Sequence, residues 1–231
     1  MVISGFQKTT LLDFPGKVAC TIFTYGCNFR CPFCHNAALV VRENEDIIPE
    51  DEILSFLKKR VGILDGVCIT GGEPFLQKDI ANFLREVKSL GYAVKLDTNG
   101  SFPDRLKSLI NENLVDYVAI DIKNSPEKYG ETIGLKNFDI SPVKESVDFL
   151  LQNKIPYEFR TTVVKEYHNI DDMEKIGQFI FGADKYFLQE FNDSGDLIGE
   201  ELGLSAYKKE VLEEMARKVA PFVKTVGIRG V

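Results

Sequence analysis

The chain has 231 residues, 44% of them apolar, and carries a formal charge of −7 from 35 acidic and 28 basic side chains. That size allows one compact α/β domain, so residues 1–231 are expected to form a single unit. The acidic balance argues against a broad nucleic-acid footprint, which needs a basic face, and no apolar run reaches the length of a membrane span. "MVISGFQKTT" lacks a basic region followed by an apolar one. Five cysteines without an export signal then point to a reducing, cytoplasmic setting, where thiols serve metals or chemistry.

In chain order, strand-length apolar runs alternate with amphipathic stretches. KVACTIFTY (17–25) reads as a strand, with Cys20 inside its apolar pattern. The acidic tract ENEDIIPEDE (43–52) reads as a solvated helix entry, where negative charge is favourable. It leads into a helix near 50–60 whose apolar face is Leu54, Phe56, Leu57 and Val61. GVCIT (66–70) is a strand containing a core-like Cys68, and it runs into Gly71-Gly72-Glu73-Pro74. After a helix near 77–90, the strand YAVKLDT (92–98) ends with Asp97 and is followed by Asn99-Gly100. After a helix near 103–112, the strand YVAIDIK (117–123) carries Asp121 and Lys123. Ser141 reads as an N-cap and Pro142 as first-turn proline for a helix near 142–153. The strand YEFRTTVV (157–164) holds Arg160, and His168 reads as a solvent-facing loop residue before a helix near 171–181. KYFLQEF (185–191) closes on Gln189 and Glu190, a helix follows near 205–219, and VKTVGIR (223–229) is a candidate last strand. Phe6, Phe14 and Phe23 read as core.

Alternating β and α units imply parallel strands joined by crossover helices. Six units are too few to close an eight-strand barrel. The expected fold is α/β, an open partial (β/α)6 barrel of TIM type or a doubly wound sheet. Either places its site at the C-terminal ends of the strands. The polar outliers fall there, and charges such as Asp121 and Arg160 within apolar strands are costly unless paired or functional.

The stretch TYGCNFRCPFCHN (24–36) holds Cys27, Cys31 and Cys34, spaced Cys-x3-Cys-x2-Cys. Four thiolates complete a structural zinc site or an all-cysteine iron–sulfur cluster. With three, the readings are a zinc site with a distant fourth ligand, chance clustering, or a [4Fe–4S] cluster whose fourth iron is left open to an exogenous chelate. An amino acid offers such a chelate through its amine and carboxylate. The glycines of TGGEP would let backbone carbonyls approach that amine beside Glu73, and Lys123 or Arg160 could hold the carboxylate.

The thiol loop after one strand and GGEP after the next resemble the radical S-adenosylmethionine superfamily over nearly the whole chain. The segments GFQKTTLLDFPGKVACTIFTYGC, CHN and DTNG resemble its glycyl radical enzyme activating type, as in the activases of anaerobic ribonucleoside-triphosphate reductase and of pyruvate formate-lyase. The resemblance implies one [4Fe–4S] cluster on Cys27, Cys31 and Cys34, with S-adenosylmethionine chelating the open iron. It implies that Gly71, Gly72 and Glu73 contact the amine and that Phe33 and His35 lie near the adenine. Asp97, Asp121, Lys123, Arg160 and Gln189 would line the methionyl and ribose end, and Asp97 with Thr98 would hold a monovalent cation. The implied reaction is reductive cleavage to a 5′-deoxyadenosyl radical that takes hydrogen from a glycine of a partner protein, with a flavodoxin or ferredoxin as electron donor. Tyr129 and Gln189 stand where the pyruvate formate-lyase type tends to have histidine, and no inserted cysteine-rich segment provides for auxiliary clusters. The rival readings are a small-molecule enzyme of the same superfamily, such as a 7-carboxy-7-deazaguanine synthase, and a zinc or iron–sulfur structural module.

Overall fold

The structure, a computed structural model, describes residues 1–41, 47–193 and 197–230. Its strands are β1 (Ile3–Thr10), β2 (Ala19–Thr24), β3 (Gly66–Gly71), β4 (Ala93–Thr98), β5 (Tyr117–Asp121), β6 (Tyr157–Val163), β7 (Tyr186–Glu190) and β8 (Val226–Arg229). Its helices are α1 (Ala37–Val41), α2 (Glu50–Lys58), α3 (Ile80–Ser89), α4 (Pro103–Asn111), α5 (Tyr129–Thr132), α6 (Ser141–Leu150), α7 (Ile170–Phe179) and α8 (Lys209–Val219). The fold is α/β with an open sheet whose strand order is that of the chain, β1 to β8. The six strands expected from the sequence are β2–β7, and the candidate last strand is β8. By residue contacts the chain divides into two compact units. The first is Met1–Asn28, Ala38–Thr98 and Asp104–Val118; the second is Phe29–Ala37, Asn99–Pro103 and Ala119–Val231.

In the first unit, β2, β3 and β4 are parallel neighbours, with Thr21 opposite Cys68 and Cys68 opposite Lys95. Side chains alternate faces along each strand. Ile22, Val67, Ile69, Val94 and Leu96 are fully buried, as befits strands covered on both sides. Helix α3 buries Ile80, Phe83, Leu84 and Val87, a helical stripe that stabilises the unit by roughly 6–12 kcal/mol as an upper bound. Phe14 packs on Ala19 and Tyr117, while Phe6 and Phe23 are only partly buried. Strand β1 was not expected. It pairs antiparallel with β2 through two register shifts, adds a single antiparallel bridge from Ile3 to Ile48, and its middle is exposed. Such an edge strand carries little of the apolar alternation that marks a strand in sequence.

In the second unit, β6, β7 and β8 are parallel neighbours. Helices α6, α7 and α8 bury Val143, Val147 and Leu150; Met173 and Ile176; and Leu212, Met215 and Val219. Asn169 and Asp172 form a reciprocal capping box at the start of α7. The cap expected from Ser141 is different in detail. Ser141 is already helical, and its N–H donates to the Asp139 carboxylate at 2.9 Å, with Pro142 in the first turn as expected. Glu50, Asp51 and Glu52 occupy the first turn of α2, and the start of the acidic tract lies outside the described residues.

Candidate functional site

The first unit contributes Cys27 after β2, the Gly-Gly-Glu-Pro turn after β3, and Asp97 and Thr98 at the end of β4. Gly71 has φ +110°, and a Cβ there would press on the Thr24 backbone; a Cβ on Gly72 would overlap the Gly26 carbonyl oxygen. The reason is a close backbone clasp. Gly72 N–H donates to Thr24 O at 2.9 Å and Glu73 N–H to Gly26 O at 2.7 Å. Gln77 adds a bond to Tyr25 O at 2.8 Å, and Arg105 binds the carbonyls of Phe75 and Gln77, the second at 2.7 Å. The two glycines therefore seat the start of the thiol loop, a role the sequence did not reveal. Glu73 is fully buried, and its Oε1 accepts from Phe75 N–H at 3.1 Å and from the Thr98 hydroxyl at 2.8 Å. Thr98, expected beside a cation, directs its hydroxyl to Glu73. Asp97 is ion-paired with Lys95, which is buried.

The second unit contributes Cys31 and Cys34, whose segment is closed by Cys34 N–H donating to Cys31 O at 3.1 Å. The segment is pinned by Arg30 N–H to Ile133 O and Gly199 N–H to Pro32 O, both 2.9 Å. Burial pushes the Cys34 thiol up, against the Asn36 backbone bond and the Lys123 charge, so a bound metal is what would make it a thiolate. All five cysteines are free of disulfides. Among the described residues, no three histidine, cysteine, aspartate or glutamate side chains converge on a single-ion position. A four-iron cluster takes its thiolates on separate irons.

Asp121 is the electrostatic centre of the second unit. Its Oδ1 accepts from Arg160 Nε at 2.9 Å and Nη2 at 2.8 Å, and its Oδ2 from Lys123 at 3.0 Å. Burial alone would raise the Asp121 pKa, but the Arg160 and Lys123 charges outweigh it and hold the carboxyl well below the usual range. For Lys123 burial acts downward, and the Asp121 carboxylate overrides it and pushes the ammonium up. Arg160 and Lys123 thus already share one carboxylate, and the trio carries one surplus positive charge. Phe33 is buried against Tyr167 and His168, with ring centroids at 5.7 and 6.2 Å. His35 is exposed at its edge and stacked on Phe191 at 5.6 Å; partial desolvation of the ring and the Lys123 charge lower its pKa. Tyr129 is a core residue stacked on Phe138. Gln189 lies on β7 between Thr162 and Arg229.

His168 corrects the sequence reading, for it is 1% exposed rather than solvent-facing. Its Nδ1 lies 3.1 Å from Val164 N–H and its Nε2 2.7 Å from Lys123 O. That pattern needs a neutral ring with the proton on Nε2, and burial lowers its pKa accordingly. His168 therefore fixes the backbone of Lys123. The sequence reading also missed Lys95, and a bidentate pair in which Arg229 meets the buried Glu158 at 2.8 Å on both oxygens while lying over the Phe187 ring. A usable signal existed. Lys95 and Glu158 each sit two residues before a charge already singled out, Asp97 and Arg160, and so share its face.

An open α/β sheet with a thiol loop after β2 and a Gly-Gly-Glu turn after β3 defines a protein of the open partial-barrel class. The profile of the radical SAM superfamily matches residues 21–180, and the chain belongs to that superfamily. It is a radical SAM enzyme, and members of the superfamily use a [4Fe–4S] cluster with S-adenosylmethionine. A protein of Methanocaldococcus jannaschii, provisionally named a glycyl-radical enzyme activating enzyme, is 32% identical over 99% of this chain and 95% of its own length. A domain of pyruvate-formate lyase-activating enzyme from Bacteroides vulgatus shares the fold at TM-score 0.58 and 15% identity, covering 71% of this chain and 99% of that one. Streptococcus suis SuiB bound to S-adenosylmethionine does so at TM-score 0.68 and 15% identity, covering 89% of this chain and 48% of that one. Among the described residues no helix is long and apolar enough to cross a membrane.

Proposed function

We propose that this protein is an activating enzyme for a glycyl radical enzyme, anaerobic ribonucleoside-triphosphate reductase being the preferred partner. The observation that carries the reading is the match, at 32% identity and nearly full length in both chains, to a relative named for that activity. Cys27, Cys31 and Cys34 would hold one [4Fe–4S] cluster, which when bound would supply the electron for reductive cleavage of S-adenosylmethionine; residues 1–231 would act as one catalytic domain. The chain's own residues fit that cofactor. Gly71 and Gly72 form a turn that no side chain fills and that fixes the backbone before Cys27. The surplus positive charge of Lys123, Arg160 and Asp121 suits a methionyl carboxylate, and buried Glu73 suits an amine. His35, with its exposed ring, is the adenine neighbour, and Gln189 lies on the same strand face as Phe187. A flavodoxin or ferredoxin supplies the electron.

The test mixes reduced, reconstituted protein with S-adenosylmethionine and a candidate partner without oxygen. A glycyl doublet in the electron paramagnetic resonance spectrum is expected. Cleavage of S-adenosylmethionine with no doublet, across the glycyl radical enzymes of the source organism, would move the assignment to a small-molecule substrate.

A further inference from the structure

Lys95 is a lysine where the chain can least afford an unpaired one. It sits mid-strand on β4, 1% exposed, with Cys68 opposite it in register and the Cys68 sulfur 4.0 Å from its Nζ. Its ammonium contacts the Asp97 carboxylate, two residues along the same strand and on the same face. Asp97 is itself 13% exposed, so the pair is almost wholly removed from water. A buried ammonium is retained only where a carboxylate balances it. Asp97 is also the carboxylate that, on sequence resemblance, would hold a monovalent metal ion beside Thr98. An alkali ion and an ammonium compete for the same oxygens. At an effective dielectric constant of about 20, two unit charges about 4 Å apart repel strongly enough to weaken ion binding about a thousandfold.

We infer that Lys95 is the resident monovalent cation of the Asp97 half-site. While it stands, Asp97 takes no alkali ion; when both the ammonium and the side chain that carries it are removed, a site for one opens. Lys95 is a positioning residue, holding the Asp97 carboxylate fixed near the end of β4. Its consequence for S-adenosylmethionine rests on the functional reading above, but the ion site itself does not.

Sodium NMR linewidths, recorded on the cluster-free protein without S-adenosylmethionine, test the ion site separately from the chemistry. The wild type should leave the linewidth unchanged, apart from weak surface binding that Asp97→Asn does not alter. Lys95→Ala, which removes the charge and opens space, should broaden the line through one site that potassium displaces and that Lys95→Ala/Asp97→Asn lacks. Lys95→Met, which removes the charge but fills the space, should not broaden it. In the reconstituted enzyme, the rate of S-adenosylmethionine cleavage should be the same in sodium, potassium and tetramethylammonium salts. The Lys95→Ala variant should lose at least tenfold in tetramethylammonium and recover in potassium. A wild-type ion site abolished by Asp97→Asn, or a folded Lys95→Ala protein that binds no ion, overturns the inference. Should Lys95→Ala not fold, the wild-type linewidth and salt series decide it alone.

Discussion

Two aspartates, one in each unit, lie at or next to the C-terminal ends of their strands, and they are balanced differently. Asp97 in the first unit is ion-paired with the buried Lys95, one charge against one. Asp121 in the second unit is ion-paired with both Lys123 and Arg160, one charge against two. The difference separates two tasks. A cancelled pair holds geometry at the cost of burying two ions, whereas an over-compensated carboxylate fixes two cations while leaving them able to attract a further anion. The strand pattern explains both, because each aspartate has a charged residue two positions away on its own face.

The comparison breaks most severely if the backbone under the first unit's half-site is disturbed. Gly72→Ala should cost about 3 kcal/mol or more in denaturant unfolding, because its methyl would overlap the Gly26 carbonyl rather than a pliable side chain. Gly182→Ala is the control. Gly182 also has positive φ, +89°, but nothing lies within 4 Å, so only backbone strain of about 1 kcal/mol is expected. Equal losses would contradict the clasp. Next in size, Asp121→Asn should destabilise by about 1–3 kcal/mol, discounted because the trio is partly exposed, and should weaken S-adenosylmethionine binding in equilibrium titration. Arg160→Lys should weaken it less, since one charge survives without the double contact to Oδ1.

Much of this was legible in the sequence, for physical reasons. Strands β2, β3 and β5 are buried over most of their length and read as nearly continuous apolar runs, so a charge such as Asp121 stood out against them. The thiol spacing and the glycine turn were visible because their backbone geometry tolerates few residue types. What escaped was relational. Edge strand β1 has little apolar pattern to detect. His168 looked like a loop residue because its burial comes from Phe33 and from backbone groups at Val164 and Lys123, all contributed by other segments or turns of the chain. Arg229 and Glu158 are 71 residues apart, and nothing local announces that they meet.

Smaller effects sharpen the picture. Thr98→Val should cost about 1–2 kcal/mol, because buried Glu73 loses a donor while Phe75 N–H remains. The pH dependence of unfolding should show His168. Its folded pKa is lowered, so its contribution is fully present above the ordinary value of 6.5 and is lost as pH falls below that toward the folded value. His168→Gln should flatten the stability profile just below pH 6.5 relative to the wild type. The Asp121 contribution, also from a lowered pKa, should persist to lower pH and fade only below the ordinary carboxyl value of 3.8. A profile unchanged by His168→Gln would contradict a His168 pKa lowered by burial.

The most direct measurement is made on anaerobically reconstituted, reduced protein. Iron and labile sulfide are counted, and the electron paramagnetic resonance spectrum is recorded before and after adding S-adenosylmethionine. Four irons and four sulfides per chain are expected from one cubane cluster, with a reduced-cluster signal that shifts when S-adenosylmethionine binds and is lost in Cys31→Ala. Bound zinc without labile sulfide, or a cluster signal indifferent to S-adenosylmethionine, would contradict the account.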